Sequence, residues 1–291
     1  MSSLWSVTLR SPVRGLSLAR EVELLLVRDD NSTLWLLNAN GELQGSVRLA
    51  GPTAACISDD GSILIAAGES GRVWRLSLDL TIAWERVIAA AALAAATDSF
   101  GQYIAVSDKK GGLFLFANSG LLLAEFESPR PIHYLAFIPA TTQLAAAADF
   151  GWCGCLELTT GQWSWTDRPV SHFGSMAVAG GGETLLLACF SDGIRRYGPD
   201  GRLGIAVVLP SACGLVTTSF AGDIGAAAGA SRQVFAFDRK GTIPFSLELE
   251  QTPSALALSA LGDRLACGFA NGTIKMLEFK SKHPEFGMAE F

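Results

Sequence analysis

Histidine is scarce in this sequence: His133, His172 and His283 are the only three among 291 residues. Imidazole is the commonest metal ligand and the side chain that titrates near neutral pH, so little remains for a metal centre or for acid–base catalysis. Nucleophile signatures are missing too. There is no Gly-x-Ser-x-Gly, no Ser-His-Asp set that strand register can assemble, and no Gly-x-x-x-x-Gly-Lys-Ser/Thr loop to cradle phosphates. The Gly180-Gly181-Gly182 run falls in a turn with no helix after it, so turn geometry accounts for it. The longest apolar run, residues 87–96, is only ten residues and mostly alanine, whereas a spanning helix needs about 20. The first ten residues carry no basic segment followed by an apolar one, so no secretory signal is expected and the cytoplasm is the expected compartment.

Charge of either sign is sparse, 17% of residues, and 22 basic against 28 acidic side chains leave −6. No basic stripe is present, which argues against a nucleic-acid partner and against adsorption to anionic membrane. Six cysteines, at 56, 153, 155, 189, 213 and 267, are too dispersed in too long a chain to read as a disulfide scaffold. Cys189 and Cys267 take the repeat position that Ala66, Ala147 and Ala228 fill elsewhere, so they read as small core residues.

Glycine punctuates the chain at a period of forty residues: Gly61, Gly101, Gly182, Gly222 and Gly262, with one member missing near Thr142. Pro12, Pro52, Pro131, Pro169, Pro210 and Pro253 run in parallel. Two marks in register mean one supersecondary unit copied many times. Each unit predicts four short strands, as at residues 54–58, 63–67, 72–76 and 82–87, separated by glycine and Asx turns. Seven units can be counted, but the last runs out before its fourth strand. Residues 4–9 supply it, with Trp5 matching Trp84 and Trp165 in position. A chain that starts with the strand its last repeat lacks closes into a ring, which protects sheet edges. The expected fold is all-β, a seven-bladed β-propeller of four-stranded antiparallel blades over residues 1–280, with a C-terminal tail at 281–291.

Phe269-Ala270-Asn271-Gly272-Thr273-Ile274-Lys275-Met276-Leu277 resembles the third strand and preceding turn of WD-repeat propellers. Ser58-Asp59-Asp60-Gly61-Ser62-Ile63-Leu64-Ile65-Ala66 resembles that family's first turn and second strand. The resemblance spans the chain to about residue 280 and implies a scaffold for protein interaction. No Gly-His dipeptide precedes a first strand and no Trp-Asp ends a third, so the hydrogen-bond network those residues build in family members is expected to be absent. Thr160-Gly161-Gln162-Trp163-Ser164-Trp165 is similar to the outer-strand motif of quinoprotein-type propellers and reads here as a packing device. The larger ring, acidic calcium ligands and signal peptide of propeller quinoproteins are not matched.

Function is therefore expected on loops over a rigid frame. The loops joining consecutive blades should share one face of the disc with the turns between second and third strands. That face should carry Arg14, Arg130, His133, Arg168 and His172 from the joining loops. The turns should add Asp29, Asp30, Glu69, Asp108, Asp149, Phe150, Trp152, Phe190, Asp192 and Phe269. Arginine and aromatic side chains among carboxylates resemble interface composition. From this set Arg14, Arg130, His133, Asp149, Trp152, Arg168, His172 and Asp192 are the candidate partner-binding residues. The expected role is a non-catalytic platform that docks a protein or peptide, without metal or cofactor, either as a solitary disc or as one subunit of a larger complex. The rival is a small-ligand or enzymatic site in the central channel. Against it, first strands such as Ala54-Ala55-Cys56 and Ala94-Ala95-Ala96 suit tight convergence at the axis. A metal site joining His133 and His172 to Cys153 or Cys155 would have too few ligands, and an outer-membrane assembly role would need an export signal.

Overall fold

Second strands such as Leu64–Gly68 and Leu185–Cys189 are buried along their whole length, because a neighbouring blade covers each of their faces. Outer strands such as Ile82–Val87 and Leu122–Glu127 alternate or face water. Repeated seven times, this gradient from a wet rim to a dry interior gives a ring of antiparallel sheets. The computed structural model describes residues 2–279, and it is a seven-bladed propeller of four-stranded blades, the fourth strand of blade 5 reduced to isolated bridges. Blades 1 to 7 begin with the inner strands Val13–Ala19, Pro52–Ile57, Ala92–Thr97, Tyr134–Ile138, Phe173–Val178, Cys213–Thr218 and Pro253–Leu258. Among the described residues no helix is long and apolar enough to cross a membrane. The expected tail at 281–291, with His283, lies outside the described residues.

Ring closure follows the expectation. Ser2–Thr8 pairs antiparallel with Thr273–Glu278 and completes blade 7. One blade departs from regularity. The outer segment of blade 5 pairs with Gly193–Tyr197 only at two isolated bridges, Ile194 with Val207 and Tyr197 with Leu203. Gly204 lies between them, and glycine weakens a strand interior.

Seven apolar clusters fill the seven junctions between blades. Leu26, Leu34 and Leu36 of blade 1 meet Leu64, Ala66 and Trp74 of blade 2, and Val13 and Leu25 of blade 1 meet Ala257 and Met276 of blade 7. Near the axis each junction also carries one hydroxyl bound to a backbone group of the neighbouring blade. Ser17, Ser175 and Thr217 accept from the amides of Ile57, Val216 and Leu258 at 3.2, 2.7 and 3.1 Å. Thr53, Ser107, Tyr134 and Ser254 donate to the carbonyls of Ala92, Ile132, Phe173 and Val13 at 2.9, 2.7, 2.9 and 2.8 Å. Inner strands of neighbouring blades share no ladder, so these hydroxyls satisfy backbone groups that would otherwise be stranded, each contributing about 1 kcal/mol net.

Tryptophans fasten three junctions at the rim. Trp5, Trp84 and Trp165 donate their indole N–H to the carbonyls of Ala39, Asn118 and Pro199 in the next blade at 2.8, 2.7 and 2.9 Å. A glycine sits under each ring. At Gly41, with φ 79°, an added Cβ would stand 2.6 Å from the Trp5 ring. Trp165 also stacks on Tyr197, centroids 5.4 Å apart. The motif around Trp163 and Trp165 is thus a packing device.

Candidate interaction face

The loops between blades and the turns after the second strands do share one face, and backbone hydrogen bonds tie them together. Asp30 N donates to Pro12 O, Glu69 N to Gly51 O and Lys109 N to Ala91 O, at 2.9, 3.0 and 3.0 Å. Blades 4 to 6 extend the arrangement into a continuous belt. Phe150 and His172 form an antiparallel bridge. Flanking it, Gly151 N donates to Ser171 O and Phe173 N to Asp149 O at 3.1 and 2.9 Å. Phe190 N then donates to His172 O, and Cys213 N to Phe190 O, at 2.9 and 3.1 Å.

On this belt three predicted features converge. The Phe150 and His172 rings lie 4.7 Å apart, tilted by 49°, and the Arg130 guanidinium reaches the Phe150 carbonyl at 3.4 Å. Asp149, Arg168 and Phe190 are exposed beside them, with Val170 87% exposed. The result is a cationic and aromatic patch on loops whose backbone is already pinned. His133 lies half-buried beneath it, its amide donating to Ala147 O at 2.9 Å. Burial raises the Tyr134 hydroxyl pKa, with the Asp149 carboxylate adding to the shift.

Other candidates fall elsewhere. Asp192 is exposed on blade 5 and faces Arg195 at 3.5 Å. Arg14 sits on blade 1, away from the patch, and forms a two-pronged pair with Asp30 at 2.7 and 3.1 Å. That hydrogen bond raises the Arg14 pKa and lowers that of Asp30. Trp152 is corrected: it is 2% exposed and meets Trp163 edge-on at 4.7 Å, so it belongs to the core between blades 3 and 4. Phe269 is likewise buried. Asp29 and Asp108 are turn builders. Asp29 accepts from Asn31 N, Thr33 N and the Trp35 indole at 2.9, 2.9 and 3.0 Å, and Asp108 from Lys110 N and Gly112 N at 2.8 Å.

Chemistry in the interior is subdued. Burial pushes the thiols of Cys56, Cys153, Cys155, Cys213 and Cys267 up to about 12 and that of Cys189 to about 11. All six are free. Cys153 and Cys155 are enclosed, and among the described residues no three His, Cys, Asp or Glu side chains gather to hold a metal. The axial channel is a cavity of about 280 Å³ lined by small and apolar side chains, with Arg20, Asp59 and Asp98 at its mouth on the opposite face.

Reasoning from sequence missed that opposite face. Phe100 and Phe220 stand in first turns where blade 2 has Asp60 and Asp59, and a bulky apolar residue at a turn tip is a readable signal of an exposed surface. No protein-family model matches the chain, and no curated protein matches it in sequence.

Proposed function

We propose that this chain is a degenerate WD-repeat-like propeller that serves as a non-catalytic platform, docking a protein or peptide on the face of its inter-blade loops. The observation that supports this reading most directly is the Arg130–Phe150–His172 cluster. Arginine and aromatic side chains are the usual anchors of interfaces. Here they stand on loops fixed by backbone bonds, so little conformational freedom would be lost on binding. Arg168, Phe190 and Val170 extend the patch with further charge and apolar area. The outer tryptophans add quinoprotein-type character to the rim without its redox chemistry. Six free thiols agree with a reducing compartment, in line with a cytoplasmic setting.

The test is charge reversal at Arg130 and Arg168 together. Both side chains are exposed and neither carries a core contact, so the double variant keeps its melting temperature and loses partner binding. Binding that survives the reversal would remove this face from the reading.

A ligand in the axial channel is the second reading, favoured by the polar groups at the channel mouth. Its volume of about 280 Å³ falls just below the range of ordinary ligand pockets, about 300–1,000 Å³. A thermal-shift screen with metabolites tests it, and a clear shift with one class would promote it over the platform.

A further inference from the structure

The face opposite the inter-blade loops carries a surface of its own. First turns of consecutive blades are joined there by backbone hydrogen bonds: Glu21 N to Asp59 O, Asp60 N to Ser99 O, Gly181 N to Phe220 O and Phe220 N to Ala260 O, at 3.0, 3.2, 3.2 and 2.8 Å. Blade 4 drops out of this belt. Its turn spans only residues 139–142, whereas that of blade 3 spans 98–103. It also begins with Pro139, which has no N–H to give. The short turn opens a cavity of about 560 Å³ between blades 3 and 4.

The walls are apolar, formed by Phe100, Tyr103, Leu115, Phe137, Pro139 and Leu158. Phe100 is 60% exposed, a large aromatic surface left in water at a turn tip. Phe220 closes the axial end. Its ring occupies the space a Cβ on Gly180 would need, and the Arg20 guanidinium lies over it at 5.4 Å. Glu21 and Asp98 stand in the lining. Nearby cations are already engaged: Arg20 by Asp59 at 2.7 Å, Arg264 by Glu23 at 2.8 Å, and Arg239 by Glu183 and the Ala221 carbonyl. Glu21 and Asp98 have no ion-pair partner among the described residues.

We propose that this cavity docks a peptide segment of a partner protein that carries a bulky apolar side chain with a lysine or arginine close beside it. The apolar side chain fills the space among Phe100, Phe137 and Leu158, where water gains nothing by staying. The cation meets Glu21, which has no ion pair, and Asp98, whose carboxylate accepts from the Tyr103 and Phe100 amides at 2.6 and 3.4 Å and has no cation beside it among the described residues either. A second copy of the chain would bring its own carboxylates to the same rim, so charge favours a basic partner over self-association. The site faces away from Arg130 and His172, so the disc can hold two partners at once.

Random peptides displayed on phage and selected against the full chain test this. Enriched sequences should pair Phe, Trp or Leu with Lys or Arg, and a synthetic peptide from them should bind about tenfold more weakly to Phe100→Ser and to Glu21→Lys. Both variants keep the wild-type melting temperature, and Arg130→Glu binds the peptide normally. No enrichment, enrichment of acidic sequences, or indifference to both substitutions overturns the proposal. A dimer in solution that Phe100→Ser dissolves would give the cavity to a second copy. Enrichment confined to a chain ending at Phe279 would give it to residues 280–291. Either result also overturns the assignment to a partner.

Discussion

Ser254 donates its hydroxyl to the carbonyl of Val13 at 2.8 Å, joining positions 241 residues apart. With the pairing of Ser2–Thr8 on Thr273–Glu278, it closes the ring between blades 7 and 1. The same hydroxyl oxygen also lies 3.1 Å from Gly268 O, so one side chain serves both its own blade and the next. Six other hydroxyls do equivalent work at the other junctions. Together with the rim tryptophans they supply inter-blade polar contacts in a chain without Gly-His and Trp-Asp dipeptides.

Ser254→Ala removes a donor from a buried carbonyl and lowers stability by about 1 kcal/mol. Denaturant titration should show the midpoint falling with an unchanged slope. The exposed Ser3→Ala serves as control. Equal midpoints for both variants would mean that the hydroxyl contributes nothing at closure.

Trp84→Ala should cost ~2 kcal/mol, less than a fully buried tryptophan because the side chain is partly exposed. Trp84→Phe keeps most of the packing and loses the bond to Asn118 O, so it should cost about 1 kcal/mol. Gly41→Ala attacks the equivalent contact from the other side, through a strained left-handed residue and a collision with Trp5. A melting temperature unmoved by all three would deny the rim tryptophans a structural role.

The buried thiols predict a one-sided pH dependence. An ordinary cysteine ionises near 9.0, whereas in the folded chain burial holds Cys267 at about 12. The thiol is therefore harder to ionise folded than unfolded. Its contribution is fully present below pH 9 and is lost as the pH climbs from there towards 12. Six such groups should make alkaline unfolding begin just above that lower value. At pH 8 Ellman's reagent should leave the five enclosed thiols unreacted until guanidinium is added, whereas Cys56, partly exposed in the axial channel, is the one open to slow labelling. Rapid labelling of more than one thiol in the native protein would contradict the enclosure of the other five.

Much of this architecture is legible before any coordinates. The forty-residue glycine period and the Trp5, Trp84 and Trp165 alignment give blade number and closure, because each marks a turn or a rim contact that the geometry repeats. The glycine missing near Thr142 has a local cause: the turn of blade 4 is shorter, and Ala140, with φ 59°, takes the left-handed position. The irregular outer segment of blade 5 was not legible, since Gly201 promises a normal turn and only pairing reveals the two lone bridges. The binding face was legible as a face and less so residue by residue. Alternation cannot tell that Trp152 turns into the core while neighbouring Phe150 stays at the surface, nor that Arg14 stands apart from Arg130.

The platform reading is tested most directly by affinity capture of the tagged protein from its own cells, run beside the Arg130→Glu, Arg168→Glu double variant and quantified by mass spectrometry. The account predicts a stoichiometric partner with the native chain that is lost with the double variant, while both chains melt at the same temperature. A partner retained equally by both, or a native chain that comes out alone, would contradict it.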